Sequence, residues 1–188
     1  MQNQSQKVVP LLQPQVPAGD EARVNEIFSN IEKHIGFVPD GLRLYSISPP
    51  LLETFVGNVG YFNMGGTKLP PALTAMIRYQ ISWNASCHYC IDLNEGFLSN
   101  LGVDLDEVRA SRNNPDVAPL DEKEKTLLKL AIKAINTPEL VDKTDIETAR
   151  DQGWGDKEIF DAIVQAASNK AFNYVLRTFK LEHQGAFS

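Results

Sequence analysis

The chemistry available to this 188-residue chain is concentrated in one tetrapeptide, Cys87-His88-Tyr89-Cys90, which holds both of its cysteines. On a helix, residues three apart share a face, so the two sulfurs can reach each other. A helix start near Ser86 places Cys87 in the first turn, where the partly positive end of the helix favours thiolate over thiol. A pair placed in this way reads as a redox couple. From the residues alone two other readings stay open: inert core cysteines, since free cysteine is often buried, and half of a zinc site. Structural zinc takes about four ligands, and His34, His88 and His183 fall at none of the usual spacings. No metal and no cofactor is therefore expected. A glycine-rich phosphate loop, an HExxH motif and a Ser/His/Asp arrangement are not apparent.

Several neighbours can support the pair. Asn94 lies at i+4 from Cys90, and its amide can donate to a thiolate without moving protons. Arg78 and Tyr79 sit on the preceding helix, one turn from Ala75, and can face the same pocket. An arginine there would lower a cysteine pKa, although a solvated or salt-bridged arginine is the plainer reading. His88 projects about 100° from Cys87 around the helix, as a flank or interface residue. Glu95 points a further step round and reads as solvated. Asn169 and Asn173 lie in an otherwise apolar helix, which suits a buried hydrogen bond or a pocket wall.

The elements that must position these residues are helical. Val24, Ile27, Phe28, Ile31 and Ile35 follow the i, i+3, i+4 rule behind Asp20, with Gly36 as a stop. Residues 39–47 form a short helix. Leu52, Phe55, Val56, Val59 and Phe62 make a stripe that ends at Gly65-Gly66. Pro70-Pro71 opens the next helix, and another runs from about Ser86 to Leu101. Residues 102–120 read as a loop with one helical turn at 104–112. Asp121 with Glu124, and Thr144 with Glu147, carry capping-box signatures. The longest pattern follows Asp156 through Phe160, Ile163, Val164, Ala167, Ala171, Val175 and Phe179. The one alternating run is weak, at Lys7–Leu12. The class is all-α, with six to eight helices in one bundle. Pro10, Pro14 and Pro17 make residues 1–19 an arm, either disordered or extended on a neighbouring subunit, ahead of a single domain over 20–188.

Composition narrows the partners. A net charge of -6 gives no field for nucleic acid. No apolar run approaches the roughly 20 residues that span a bilayer, and the opening MQNQSQ lacks a signal pattern. A soluble cytoplasmic protein is expected, with no nucleic-acid or membrane partner.

The stretch from Leu69 to Gly102, LPPALTAMIRYQISWNASCHYCIDLNEGFLSNLG, resembles the alkylhydroperoxidase D-like, carboxymuconolactone decarboxylase superfamily, in its peroxidase-related branch. The resemblance rests on the Pro-Pro helix entry, the run from Ser82 to Cys90, and the apolar helix that follows. It implies an AhpD-like helical bundle, homo-oligomers, and a thiol peroxidase or disulfide reductase. By resemblance Cys90 is the cysteine oxidised to a sulfenic acid, and Cys87 its proton donor and resolving partner. The family pattern also has a Glu twelve residues before the first cysteine and a His four after the second. Here those positions are Ala75 and Asn94, and neither can take a proton. A His often precedes the family's second cysteine, whereas here that place is Tyr89.

The first expectation is thus a thiol-dependent oxidoreductase acting on peroxide or another small molecule. Its reductant would be an external dithiol or a thiol-redox protein. The alternatives are a carboxymuconolactone decarboxylase-like lactone enzyme, and a non-catalytic helical oligomer with a degenerate redox site. A homo-oligomer is expected on the residues too: the last helix is apolar on more than one stripe, and an ordered arm needs a surface to receive it.

Overall fold

The structure, a computed structural model, describes residues 9–181, so His183 and part of the arm lie outside the described residues. Those residues contain nine α-helices and no strand. In chain order they are α1 (Glu21–Ile35), α2 (Asp40–Tyr45), α3 (Pro49–Asn63), α4 (Pro71–Asn84) and α5 (His88–Asn100). They continue with α6 (Leu105–Ala110), α7 (Glu122–Asn136), α8 (Lys143–Asp151) and α9 (Asp156–Thr178). The class is all-α, and the two six-residue helices, α2 and α6, carry the number past the expected six to eight. Helices so short need tertiary support. Of the weak alternating run, residues 9–12 form no strand, and Lys7 and Val8 lie outside the described residues.

Local signals explain most boundaries. Asp121 accepts the Glu124 N–H and Glu124 accepts the Asp121 N–H, closing the capping box of α7. The box expected at Thr144 and Glu147 begins instead at Asp142, whose carboxylate accepts from the Thr144 and Asp145 N–H groups. Asp145 returns to the Asp142 N–H. Ionised carboxylates bond these N–H groups more strongly than a hydroxyl does, so the acidic pair starts the helix.

Helix α4 is the hub. Leu73, Met76, Ile77 and Ile81 are buried in a cluster with Leu127, Leu128 and Ala131 of α7 and Ile159, Ala162 and Ala166 of α9. The seam of α9 differs from the expected one. Phe160 is 67% exposed and Ala167 and Ala171 are exposed, while Ile159, Ala162, Ala166, Asn169, Phe172, Asn173 and Leu176 face inward. A pattern drawn only through apolar residues passes beside the true face, because that face includes asparagines.

The described part of the arm lies on its own chain. The Leu11 N–H donates to the Phe179 carbonyl at 2.9 Å, and Val16 packs on Val24, Val38, Leu42 and Leu52. Among the described residues no helix is long and apolar enough to cross a membrane.

Candidate active site

The site is built by the turn between α4 and α5. Ser86 is in the left-handed region at φ 52°, and the chain then extends at Cys87. The Ser86 N–H donates to the Trp83 carbonyl at 2.9 Å and the Cys87 N–H to the Ser82 carbonyl at 3.0 Å. This is a Schellman closure of α4 with serine where glycine is usual. Cys87 therefore ends one helix and is the N-cap of the next, one position earlier than expected, and Cys90 is the third residue of α5. The spacing of an N-cap and its N3 residue brings the two side chains together. The sulfurs are 2.9 Å apart and both cysteines are free and buried.

A polar network surrounds them. The Ser82 hydroxyl donates to the Arg78 carbonyl at 2.7 Å and accepts from the amides of Asn169 at 3.1 Å and Asn173 at 3.2 Å. The Asn169 amide also reaches the Arg78 carbonyl at 3.0 Å and the Asn173 side-chain oxygen at 3.1 Å. Arg177, near the end of α9, donates to the Ala85 carbonyl at 2.7 Å, which puts its charge beside the turn.

The two thiols are driven apart. The Cys90 thiol, then the Cys90 backbone N–H, the Asn173 amide and the Arg177 charge pull the Cys87 pKa below its ordinary value, against the effect of burial. Burial, followed by the hydrogen bond and charge of Cys87, holds Cys90 well above its ordinary value. Of the two, Cys87 is the thiol that ionises first, while Cys90 keeps its proton to higher pH. The order follows from position: the Cys90 backbone N–H at the start of α5 and the Arg177 charge act on Cys87, whereas burial is the largest effect on Cys90.

The other expected residues are placed as follows. Asn94 is buried on α5, but its amide donates to the Cys90 carbonyl at 2.7 Å and its oxygen accepts from Arg78 Nε at 2.9 Å. It therefore reaches the backbone of the pair and not a sulfur. Tyr79 is buried on α4 with its hydroxyl bonded to Glu95 at 2.9 Å and to Arg112 at 2.7 Å. Burial first, then the Glu95 carboxylate, pushes that hydroxyl up to about 12. Glu95 is not solvated: it pairs with Arg109 at 2.7 Å and Arg112 at 2.9 Å. His88 is exposed at the first position of α5. Ala75 is buried in the aliphatic cluster. Among the described residues no group of three His, Cys, Asp or Glu side chains could hold a metal ion.

Sequence reasoning left Arg177 out and did not connect Ser82, Asn169 and Asn173 into one network around the sulfurs. A signal for the face was present. Asp161, Gln165, Asn169, Asn173 and Arg177 recur every four residues along α9. The first four of these are buried. Polar residues repeated at i+4 on a core helix mark a face that packs on other polar groups.

No protein-family model and no curated protein matches this chain. Solved structures do. An uncharacterized peroxidase-related protein from Silicibacter sp. TM1040 superposes with a TM-score of 0.86 at 20% identity, covering 99% of this chain and 97% of that one. A second, from Ralstonia eutropha JMP134, is described as an alkylhydroperoxidase AhpD core and gives 0.84 at 17% identity, over 97% and 96% of the two chains. The debrominase Bmp8, solved as a variant with 2,3,4-tribromopyrrole, gives 0.73 at 19% identity over 97% and 94%. At these identities the likeness is one of architecture. The chain has the all-helical fold of AhpD-like, peroxidase-related proteins.

Proposed function

We propose that this protein is a thiol-dependent peroxidase working through Cys87 and Cys90. The observation that carries the reading is the 2.9 Å separation of the two free sulfurs at the start of α5, with the Cys87 pKa drawn below its ordinary value. The Cys87 thiolate attacks the outer oxygen of a hydroperoxide, the O–O bond breaks, and Cys87 becomes a sulfenic acid. Cys90 gives its proton to the departing alkoxide, forming the alcohol. The Cys90 thiolate then attacks the Cys87 sulfur and expels hydroxide, leaving a disulfide. An external dithiol reduces that disulfide by exchange and leaves oxidised. The role of nucleophile thus passes to Cys87, opposite to the assignment by resemblance. The reason is electrostatic, since Cys87 has the N-cap position and Arg177. With Ala75 and Asn94 unable to carry protons, Cys90 itself is the acid.

The test is hydroperoxide consumption with dithiothreitol or dihydrolipoamide as donor. Turnover in the wild type, with loss in Cys87→Ser and loss of catalytic cycling in Cys90→Ser, supports the reading. No consumption by the reduced wild type with any dithiol contradicts it.

The working unit in this reading is a homo-oligomer. Leu51, Met64 and Phe160 are 60%, 66% and 67% exposed, large apolar side chains of the kind that a second copy covers. Light scattering should give a multiple of 20.9 kDa, and a mass of 20.9 kDa at all concentrations would contradict it.

A further inference from the structure

Arg78 is a half-buried cation without a counter-charge. Its Nε donates to Asn94 at 2.9 Å, its Nη1 reaches Asn63 at 3.5 Å, and the Phe97 ring lies 5.7 Å from the guanidinium carbon. All three neighbours are neutral. Arg23, Arg43, Arg109, Arg112 and Arg150 each pair with a carboxylate, whereas Arg78 pairs with none among the described residues. Nη2 makes no bond to a described residue, and the only fully buried side-chain N or O atom without a partner among them is Gln165 Oε1. Nη2 is therefore not fully sealed in the core.

Burial alone pushes the Arg78 pKa down to about 10, so holding this charge here works against the fold. A packing role does not need a guanidinium, and the planar fork suits a carboxylate better than an ammonium would. Two links tie it to the thiols. Asn94 joins its Nε to the Cys90 carbonyl, at 2.9 Å and 2.7 Å, and its own carbonyl is held by Ser82 at 2.7 Å.

We propose that Arg78 anchors the carboxylate of the substrate on which the thiol pair acts, which makes that substrate a small organic acid. The proposal rests on the thiol reading for the reaction, but its binding half stands by itself. A carboxylate held through Nη2, with Nη1 released from its long contact to Asn63, fixes the substrate from a group remote from the reacting bond.

The experiment is a titration of the reduced wild type with benzoate and with its neutral counterpart benzamide, followed by calorimetry or chemical shifts. Benzoate should bind about 10- to 100-fold more tightly than benzamide. Arg78→Gln should abolish the preference, Arg78→Lys should keep part of it, and Cys87→Ser should leave it intact. The Arg78→Gln variant should also unfold at the same temperature as the wild type or higher. In turnover, the KM of a carboxylate-bearing hydroperoxide should rise in Arg78→Gln while that of cumene hydroperoxide stays the same. Equal binding of the two probes, no saturable benzoate binding, or a preference that survives in Arg78→Gln would overturn the anchor. Selective benzoate binding without peroxide turnover would instead overturn the thiol reading and keep the anion site.

Discussion

The Asn173 amide donates to the Ser82 hydroxyl at 3.2 Å, joining α9 to α4 across 91 residues of chain beside the two sulfurs. The same amide lowers the pKa of both cysteines. Asn173→Ala should raise the Cys87 pKa, because one hydrogen bond to the ionised sulfur is lost. It should also cost about 1–3 kcal/mol of stability through the cavity and the loss of the side-chain oxygen that accepts from the Asn169 amide. Thiolate absorbance against pH and denaturant unfolding measure the two effects. An unchanged Cys87 titration would mean that Asn173 is only packing.

Ser86 holds a left-handed backbone at φ 52° where other helix ends in this chain use Gly36, Gly102 and Gly153. Ser86→Gly should stabilise the protein by about 0.5–1 kcal/mol, less the larger entropy of the unfolded glycine chain. Ser86→Val should destabilise it and shift Cys87 out of the N-cap. Equilibrium unfolding checks both. A Ser86→Gly variant less stable than wild type would show that the serine side chain itself holds the turn.

The parts of the structure that were legible in the sequence are those set by neighbours in the chain. Asp121 and Glu124 cap locally, Pro71 opens α4 locally, and Cys87 and Cys90 meet through helical spacing. The contacts that tune the site are long-range. Asn173 reaches Ser82 and Arg177 reaches Ala85 only because α9 packs on α4, and the apolar period of α9 pointed to the face bearing Phe160 instead. Glu95 was misread for a related reason: Arg109 and Arg112 come to it from α6 and the turn after it, which helical angles on α5 cannot reveal.

Glu95 should matter to stability. Its side chain is 12% exposed and accepts from Tyr79, Arg109 and Arg112. Glu95→Ala removes the carboxylate shared by Tyr79, Arg109 and Arg112 and, with both arginines partly solvated, should cost about 1–2 kcal/mol at neutral pH. The arginines and Tyr79 hold the Glu95 pKa below its ordinary 4.5 despite burial. A carboxylate with a depressed folded pKa stabilises above its unfolded value, and that stability is lost as pH falls through the folded one. The gap between wild type and Glu95→Ala in thermal unfolding should therefore be constant above 4.5 and close below it. A gap independent of acid would contradict an ionic role.

Alkylation should separate the thiols. With Cys87 below and Cys90 above the ordinary 9.0, the pair holds one proton across the interval between them. The depressed Cys87 contributes stability above 9.0 that is lost as pH falls through its folded value. The raised Cys90 contributes stability below 9.0 that is lost as pH rises through its own. Iodoacetamide under mild denaturant-free conditions should label Cys87 with a midpoint under 9.0 and leave Cys90 until higher pH. Cys90→Ser exchanges the thiol donor for a hydroxyl and should move the Cys87 midpoint. Prior labelling of Cys90 would reverse the assignment.

The most direct measurement is to add one equivalent of an organic hydroperoxide to the reduced protein in the presence of dimedone and map the products by mass spectrometry. Wild type should lose two hydrogens as the Cys87–Cys90 disulfide forms. Cys90→Ser should carry a dimedone adduct on Cys87, and Cys87→Ser should react far more slowly and leave Cys90 unmodified. An adduct on Cys90 forming as fast in Cys87→Ser, or a wild type whose two thiols survive the hydroperoxide, would contradict the account.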